Sequence, residues 1–136
     1  MKYFSIKRLI MSAAASTPLS RFNGLLCDFF DEMAQTYPEE NDIKQAATAL
    51  KTLKKMNPKL IHATFMETVH SEFKEPIMRS DEDYLVKRAH EILQSQYSDM
   101  AFAFWIFDKH WKTMSVENKE NVWKYCKALI LLAEKV

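Results

Sequence analysis

Apolar residues recur along this chain at helical spacing, and the breaks between runs are clearly marked. In "TPLSRFNGLLCDFFDEMAQTY", Leu19, Phe22, Leu26, Phe29, Phe30, Met33 and Tyr37 follow a 3.6-residue period. Thr17 stands where an N-cap belongs, Pro18 suits the first helical position, and Pro38 stops the run. "NDIKQAATALKTLKKM" puts Ile43, Ala46, Ala47, Leu50 and Leu53 on one face, with Asn41 or Asp42 as the expected cap. Asn57-Pro58 closes this second helix and opens a third. The residue before a proline is pushed out of the α region, whereas proline itself fits a first turn. Ile61, Phe65, Val69 and Phe73 form the third stripe, which Pro76 is expected to interrupt. "RSDEDY" reads as a loop that caps the next helix, with Ser80 and Asp83 as a capping-box variant.

Leu85, Ala89, Ile92 and Leu93 continue the beat, and "SQYSD" marks a short break. "MAFAFWIFDKHWKTM" is the most apolar stretch. Met100, Phe104, Phe107, Trp111 and Met114 share one stripe, while Phe102, Trp105 and Ile106 lie off it. A helix apolar nearly all round is expected to be central or to touch a partner. In the last run Ser115 is the cap. Val122, Trp123, Cys126, Leu129, Ile130 and Ala133 face inward, and Lys119, Glu120, Lys124 and Lys127 face water. The pattern predicts an all-α protein: a single compact bundle of five or six helices over residues 17–136, preceded by a flexible or weakly helical extension over 1–16.

Composition narrows this picture. A chain of 136 residues is about one domain, long enough to bury a core without staples. One glycine and four prolines are too few for a turn-rich sandwich or barrel. A single glycine, Gly24, inside an expected helix, also excludes phosphate-cradling loops and dinucleotide-binding turns, which need glycines for close backbone approach. Cys27 and Cys126 fit neither a zinc ligand set nor a disulfide framework and read as reduced core residues. No stretch reaches the roughly 18 apolar residues of a membrane span. The N-terminus "MKYFSIKRLIMSAAAS" has some features of a secretory signal, but Lys7 and Arg8 cut its apolar run short. It is also basic, as transit peptides are, and Met11 itself resembles a start; these readings stay open beside that of a plain extension.

The net charge of +1 exerts no global pull on nucleic acid, but charge is segregated along the chain. Residues 1–27 carry four bases and no acid, residues 28–43 six acids and no base, and residues 44–59 five lysines and no acid. Such blocks suit solvated helix faces that attract one another across a bundle.

Candidate chemistry is sparse. Glu67 and His70 form one Glu-x-x-His, but a di-iron bundle needs two such motifs plus two further carboxylates, and no second motif exists. Asp28, Asp31 and Glu32 share a helix face and suit either a hard cation or salt bridges to Lys44, Lys51 or Lys55; salt bridges are the expectation. "SDEDY" lacks the glycine and terminal Glu of a calcium loop. Cys27 or Cys126 paired with His62 or His110 would make a thiol–imidazole site, but no local signature supports one. No catalytic residue, cofactor or metal is therefore expected.

"FFDEMAQTYPEENDI", "KKMNPKLIHATF", "SDEDYL" and "HWKTMSVENKENVWKYCKALILLA" together resemble small helical proteins of unassigned activity encoded by nucleocytoplasmic large DNA viruses of algae and other protists. The landmarks are Tyr37-Pro38, Asn57-Pro58, Asp81-Glu82-Asp83 and the segment from Trp111 to Trp123, in that order. The resemblance implies a virus-encoded protein located in the host cytoplasm or nucleus, or in the virion. It brings no catalytic residues with it.

The functional expectation is a non-enzymatic helical interaction module acting through protein contacts or self-association. Phe102, Trp105, Ile106, Trp123 and Tyr125 are its candidate partner surface, because aromatics anchor interfaces. The alternative is a nucleic-acid-binding accessory protein that uses Lys44, Lys51, Lys54, Lys55 and Lys59 on phosphates.

Overall fold

The computed structural model describes residues 17–94 and 106–136, with side chains of the second segment described from Asp108 onward. Residues 1–16, and with them the expected N-terminal extension, lie outside the described residues. The fold is all-α. Helix α1 spans Pro18–Thr36, α2 Asn41–Met56, α3 Pro58–Phe65, α4 Ser71–Met78, α5 Glu82–Gln94 and α6 Val116–Glu134. A π turn, Met66–His70, joins α3 to α4. A second π turn, Ile106–His110, runs into a 3₁₀ turn, Trp111–Thr113.

Local chemistry sets most helix ends. Thr17 Oγ1 accepts from Ser20 N at 3.2 Å with Pro18 at the first helical position, and Ser115 Oγ accepts from Asn118 N at 3.1 Å. Each cap satisfies one of the orphan amides at a helix start. Asn57, at φ −152° and ψ 76°, ends α2 and starts α3, as the following proline demands.

Three boundaries differ from the sequence reading. Residue Glu40, not Asn41 or Asp42, occupies the N-cap position of α2, and its side chain bonds elsewhere. Pro76 does not end its helix; it sits buried in the last turn of α4, where its missing amide costs only one hydrogen bond. The cap of α5 is Asp81, whose Oδ1 accepts from Tyr84 N at 3.1 Å, and not Ser80. Ser80 instead closes α4 in the left-handed region, with φ 54°.

The centre of the bundle is α1. It packs on α2, α3 and α6, and Phe22, Leu25, Leu26, Phe29, Phe30 and Met33 are all buried. Positions 22, 25, 26, 29, 30 and 33 form one broad stripe, and the buried Asn23, Cys27 and Glu32 widen the covered arc at its edges, so several neighbours can close on α1. Phe22 meets the Phe65 ring edge-on at 4.9 Å and the His62 ring at 5.6 Å, fixing α1 against α3. Ile43, Ala46, Ala47 and Leu50 bury one stripe of α2, and small alanines let that helix approach α1 closely. At the far side, Phe73 and Ile77 of α4 join Leu85 and Ala89 of α5.

The apolar segment before Ser115 is not helical to its end. Residues 106–113 turn first in π and then in 3₁₀ geometry, which sends Trp111 inward. Its indole N–H donates to the Glu82 carboxylate, and its ring meets Trp123 edge-on at 5.4 Å. The Lys119 ammonium stands 5.2 Å from the Trp111 ring centre. The expected break at 95–99 and the stripe residues Met100 and Phe104 lie outside the described residues.

Candidate interaction surface

The aromatic partner surface is corrected by the structure at Tyr125. That side chain is fully buried and stacks on Phe29 with ring centres 5.0 Å apart. The reason is that α6 packs against both α1 and α4, so its covered face reaches round to Asn118, Asn121 and Tyr125. Trp123 lies at the rim of that face, half-buried against Trp111. Phe102 and Trp105 lie outside the described residues; Ile106 opens the second π turn. Polar burial was not legible in the sequence: Asn23 and Glu32 of α1 are covered too. Asn23 Nδ2 donates to the Pro58 carbonyl at 3.1 Å, tying the start of α1 to the α2–α3 junction.

The histidines, natural candidates for acid–base chemistry, all tie distant elements together. His62 Nε2–H donates to the Ala133 carbonyl at 2.9 Å, adding a side-chain donor to a last-turn carbonyl of α6 that otherwise takes the long 3.4 Å bond from Val136 N. His70 pairs with Glu134 at 2.7 Å, His90 with Asp108 at 3.0 Å, and His110 with Glu40 at 3.1 Å. Glu67 is exposed and is not the partner of His70, so the Glu-x-x-His spacing assembles no site.

Two of these ties have the same design. A π turn ends on a histidine, and that histidine and a lysine share one carboxylate oxygen at a helix terminus. Glu134 Oε2 takes His70 and, at 2.5 Å, Lys74. Glu40 Oε1 takes His110 and, at 2.9 Å, Lys109. The lysine hydrogen bond is the main cause holding each carboxyl below its ordinary range. Tyr37 stacks on the His110 ring at 4.0 Å, and the Glu39 carboxylate lies beside the pair.

The thiols are likewise withdrawn from chemistry. Burial pushes Cys126 up to about 12. Burial also raises Cys27, against the pull of the nearby Lys54 ammonium. A thiolate is the reactive form, so neither sulfur is set up as a nucleophile.

The basic segment behaves differently. Lys44, Lys51, Lys54, Lys55 and Lys59 are all exposed. Lys51 pairs with Asp31 of α1 at 3.0 Å, the salt bridge expected between the acidic and basic blocks. Lys44, Lys54, Lys55 and Lys59 form no ion pair among the described residues. Lys44, Thr48, Lys51 and Lys55 are spaced four, three and four apart and so share the outer face of α2. Thr48 and Thr52 turn their hydroxyls back onto the carbonyls of Lys44 and Thr48, leaving the lysines as the outward polar groups. Lys44, Gln45, Thr48 and Ala49 line a shallow depression there. Met56, at the end of this helix, is 78% exposed.

Among the described residues no helix is long and apolar enough to cross a membrane. Comparison with family models, with curated proteins and with solved structures finds no match.

Proposed function

We propose that this protein is a non-enzymatic interaction module that acts through protein contacts, and that the outer face of α2 is where it meets an acidic partner surface. The observation that supports this reading most is a contrast in how charge is used. All four histidines hold one element to another, whereas four of the five lysines of 44–59 are exposed and form no ion pair among the described residues. Solvated lysines in a row raise the local concentration of an anionic partner and steer its approach. With Tyr125 in the core, the aromatic cluster loses one of its five anchors. The resemblance to viral helical proteins supports the further reading that the module is virus-encoded and works within the infected host cell or the virion.

A nucleic-acid-binding accessory role is the second reading, because all five lysines named for it are exposed. One experiment separates the two. Fluorescence anisotropy is measured with a labelled Asp/Glu-rich peptide and with a labelled short DNA duplex, each across a salt series. The wild type is compared with Lys44→Glu/Lys51→Glu/Lys55→Glu. Peptide binding that falls about tenfold in the triple variant supports the protein-contact reading. Duplex binding whose log–log salt slope approaches about −0.9 per lysine engaged moves the assignment to nucleic acid. No binding to either probe, or equal binding by the variant, removes this face from both.

A further inference from the structure

We infer that Glu39, Glu40 and His110 form a divalent transition-metal site that clamps the α1–α2 turn to the turn before α6. One ligand atom from each of the three lies within 4.8 Å of the other two. His110 Nε2 stands 3.1 Å from Glu40 Oε1. Donors bound to zinc at about 2.0–2.1 Å in a tetrahedron are themselves roughly 3.3 Å apart, so this pair is already near ligating separation. The scaffold holds both partners in place. Glu40 N bonds to Tyr37 O at 3.0 Å, closing the turn that presents the two carboxylates. Tyr37 stacks on the imidazole and fixes its plane. The His110 and Glu40 side chains are 12% and 13% exposed, so little side-chain freedom remains to be lost on binding a metal.

The donor set selects the ion. One imidazole and two carboxylates suit zinc and its first-row neighbours, whereas magnesium and calcium favour all-oxygen sites. Three protein donors leave a fourth position to water. The Lys109 ammonium already offsets part of this negative charge, 2.9 Å from Glu40 Oε1. Lys109 is 53% exposed and has room to swing into solvent, so a metal displaces it. Zinc therefore competes with an internal cation, and removing that cation strengthens zinc binding.

The test is zinc titration followed by calorimetry and by thermal melting, on the full chain and four variants. Wild type is expected to take up one zinc ion and to melt higher with it, because only the folded chain assembles the site. Glu39→Gln, an exposed position, and His110→Ala are each expected to abolish the saturable step. Lys109→Met is expected to bind about three- to tenfold more tightly, from release of an ion pair and of a neighbouring positive charge. His90→Ala is expected to bind as wild type. Magnesium is expected to leave the melt unchanged. No saturable zinc step in Lys109→Met overturns the inference. So does zinc binding that persists in both Glu39→Gln and His110→Ala, since the ion then sits on other histidines or thiols.

Discussion

Ser80→Gly is expected to stabilise the protein, and the structure sets both the sign and the size. Ser80 is the residue with positive φ among the described non-glycine residues, at 54°. It follows the C-cap of α4, and two hydrogen bonds hold it there: Ser80 N to Ile77 O at 3.0 Å and Asp81 N to Pro76 O at 2.8 Å. These are the paired bonds of a Schellman ending, a position at which glycine is the usual residue. A left-handed conformation costs an L-residue roughly 1–2 kcal/mol. Glycine escapes that cost but gives up roughly 0.5–1 kcal/mol more conformational entropy on folding. Relief in the folded state is therefore the larger effect, and the net gain is about 0.5–1 kcal/mol. For a domain of this length that is a rise in Tm of about 2–4 °C. Urea denaturation followed by circular dichroism measures it, with the m-value expected to stay constant. Ser80→Ala keeps the strain and is expected to fall within about 0.5 kcal/mol of wild type. A Gly variant that is less stable than wild type, or an Ala variant that is equally stabilised, refutes the reasoning.

Three further outcomes follow from the packing and the ion pairs. Phe22→Ala removes a fully buried ring that contacts Phe65 and His62, and is expected to cost about 3–5 kcal/mol in the same denaturation assay. Glu134 is expected to contribute to acid stability, because its carboxyl is held low by Lys74 and His70 in the folded state. A lowered folded value means that this stabilisation is present above the ordinary carboxylate range and is lost as pH falls through the lowered value. Glu134→Gln should therefore flatten the acid limb of a stability–pH curve, and, because Glu134 also holds the Lys74 ammonium above its ordinary value, it should remove the stabilisation that the wild type loses as pH rises through that raised value. Cys126, pushed up to about 12 and buried, is expected to resist Ellman's reagent at pH 8 until the protein is unfolded; prompt labelling of the native chain would place the thiol at the surface.

The parts of the fold that were legible in the sequence are those whose causes are local. Thr17 and Ser115 carry their cap chemistry within three residues, Asn57-Pro58 sets its boundary through the backbone restriction before proline, and each stands where the pattern put it. The stripes of α1 and α2 were legible for the same reason, since one period runs through each. Pro76 misled because a proline in a last turn costs far less than one in mid-helix. Tyr125 is buried against expectation because a stripe gives the direction of burial, but its width depends on how many helices close around it; Trp123, expected on the stripe, packs partly buried at its rim. The π turns left no recognisable signal, although both end on a histidine that reaches a glutamate. Glu40 and His110 meet across 70 residues of chain, and no spacing rule connects them. The exposure of Lys44, Lys51, Lys54 and Lys55 on α2 was legible in the sequence. Four exposed side chains on one helix are a local property.

The most direct test of the interaction surface is a two-dimensional ¹H–¹⁵N spectrum of the protein titrated with an unlabelled Asp/Glu-rich peptide at low salt. Shift changes are expected to concentrate on Lys44, Thr48, Lys51, Thr52 and Lys55, with the amides around Trp111 and Trp123 unmoved. Changes centred on Trp111 and Trp123, or none at any peptide concentration, would contradict the assignment of α2 as the binding face.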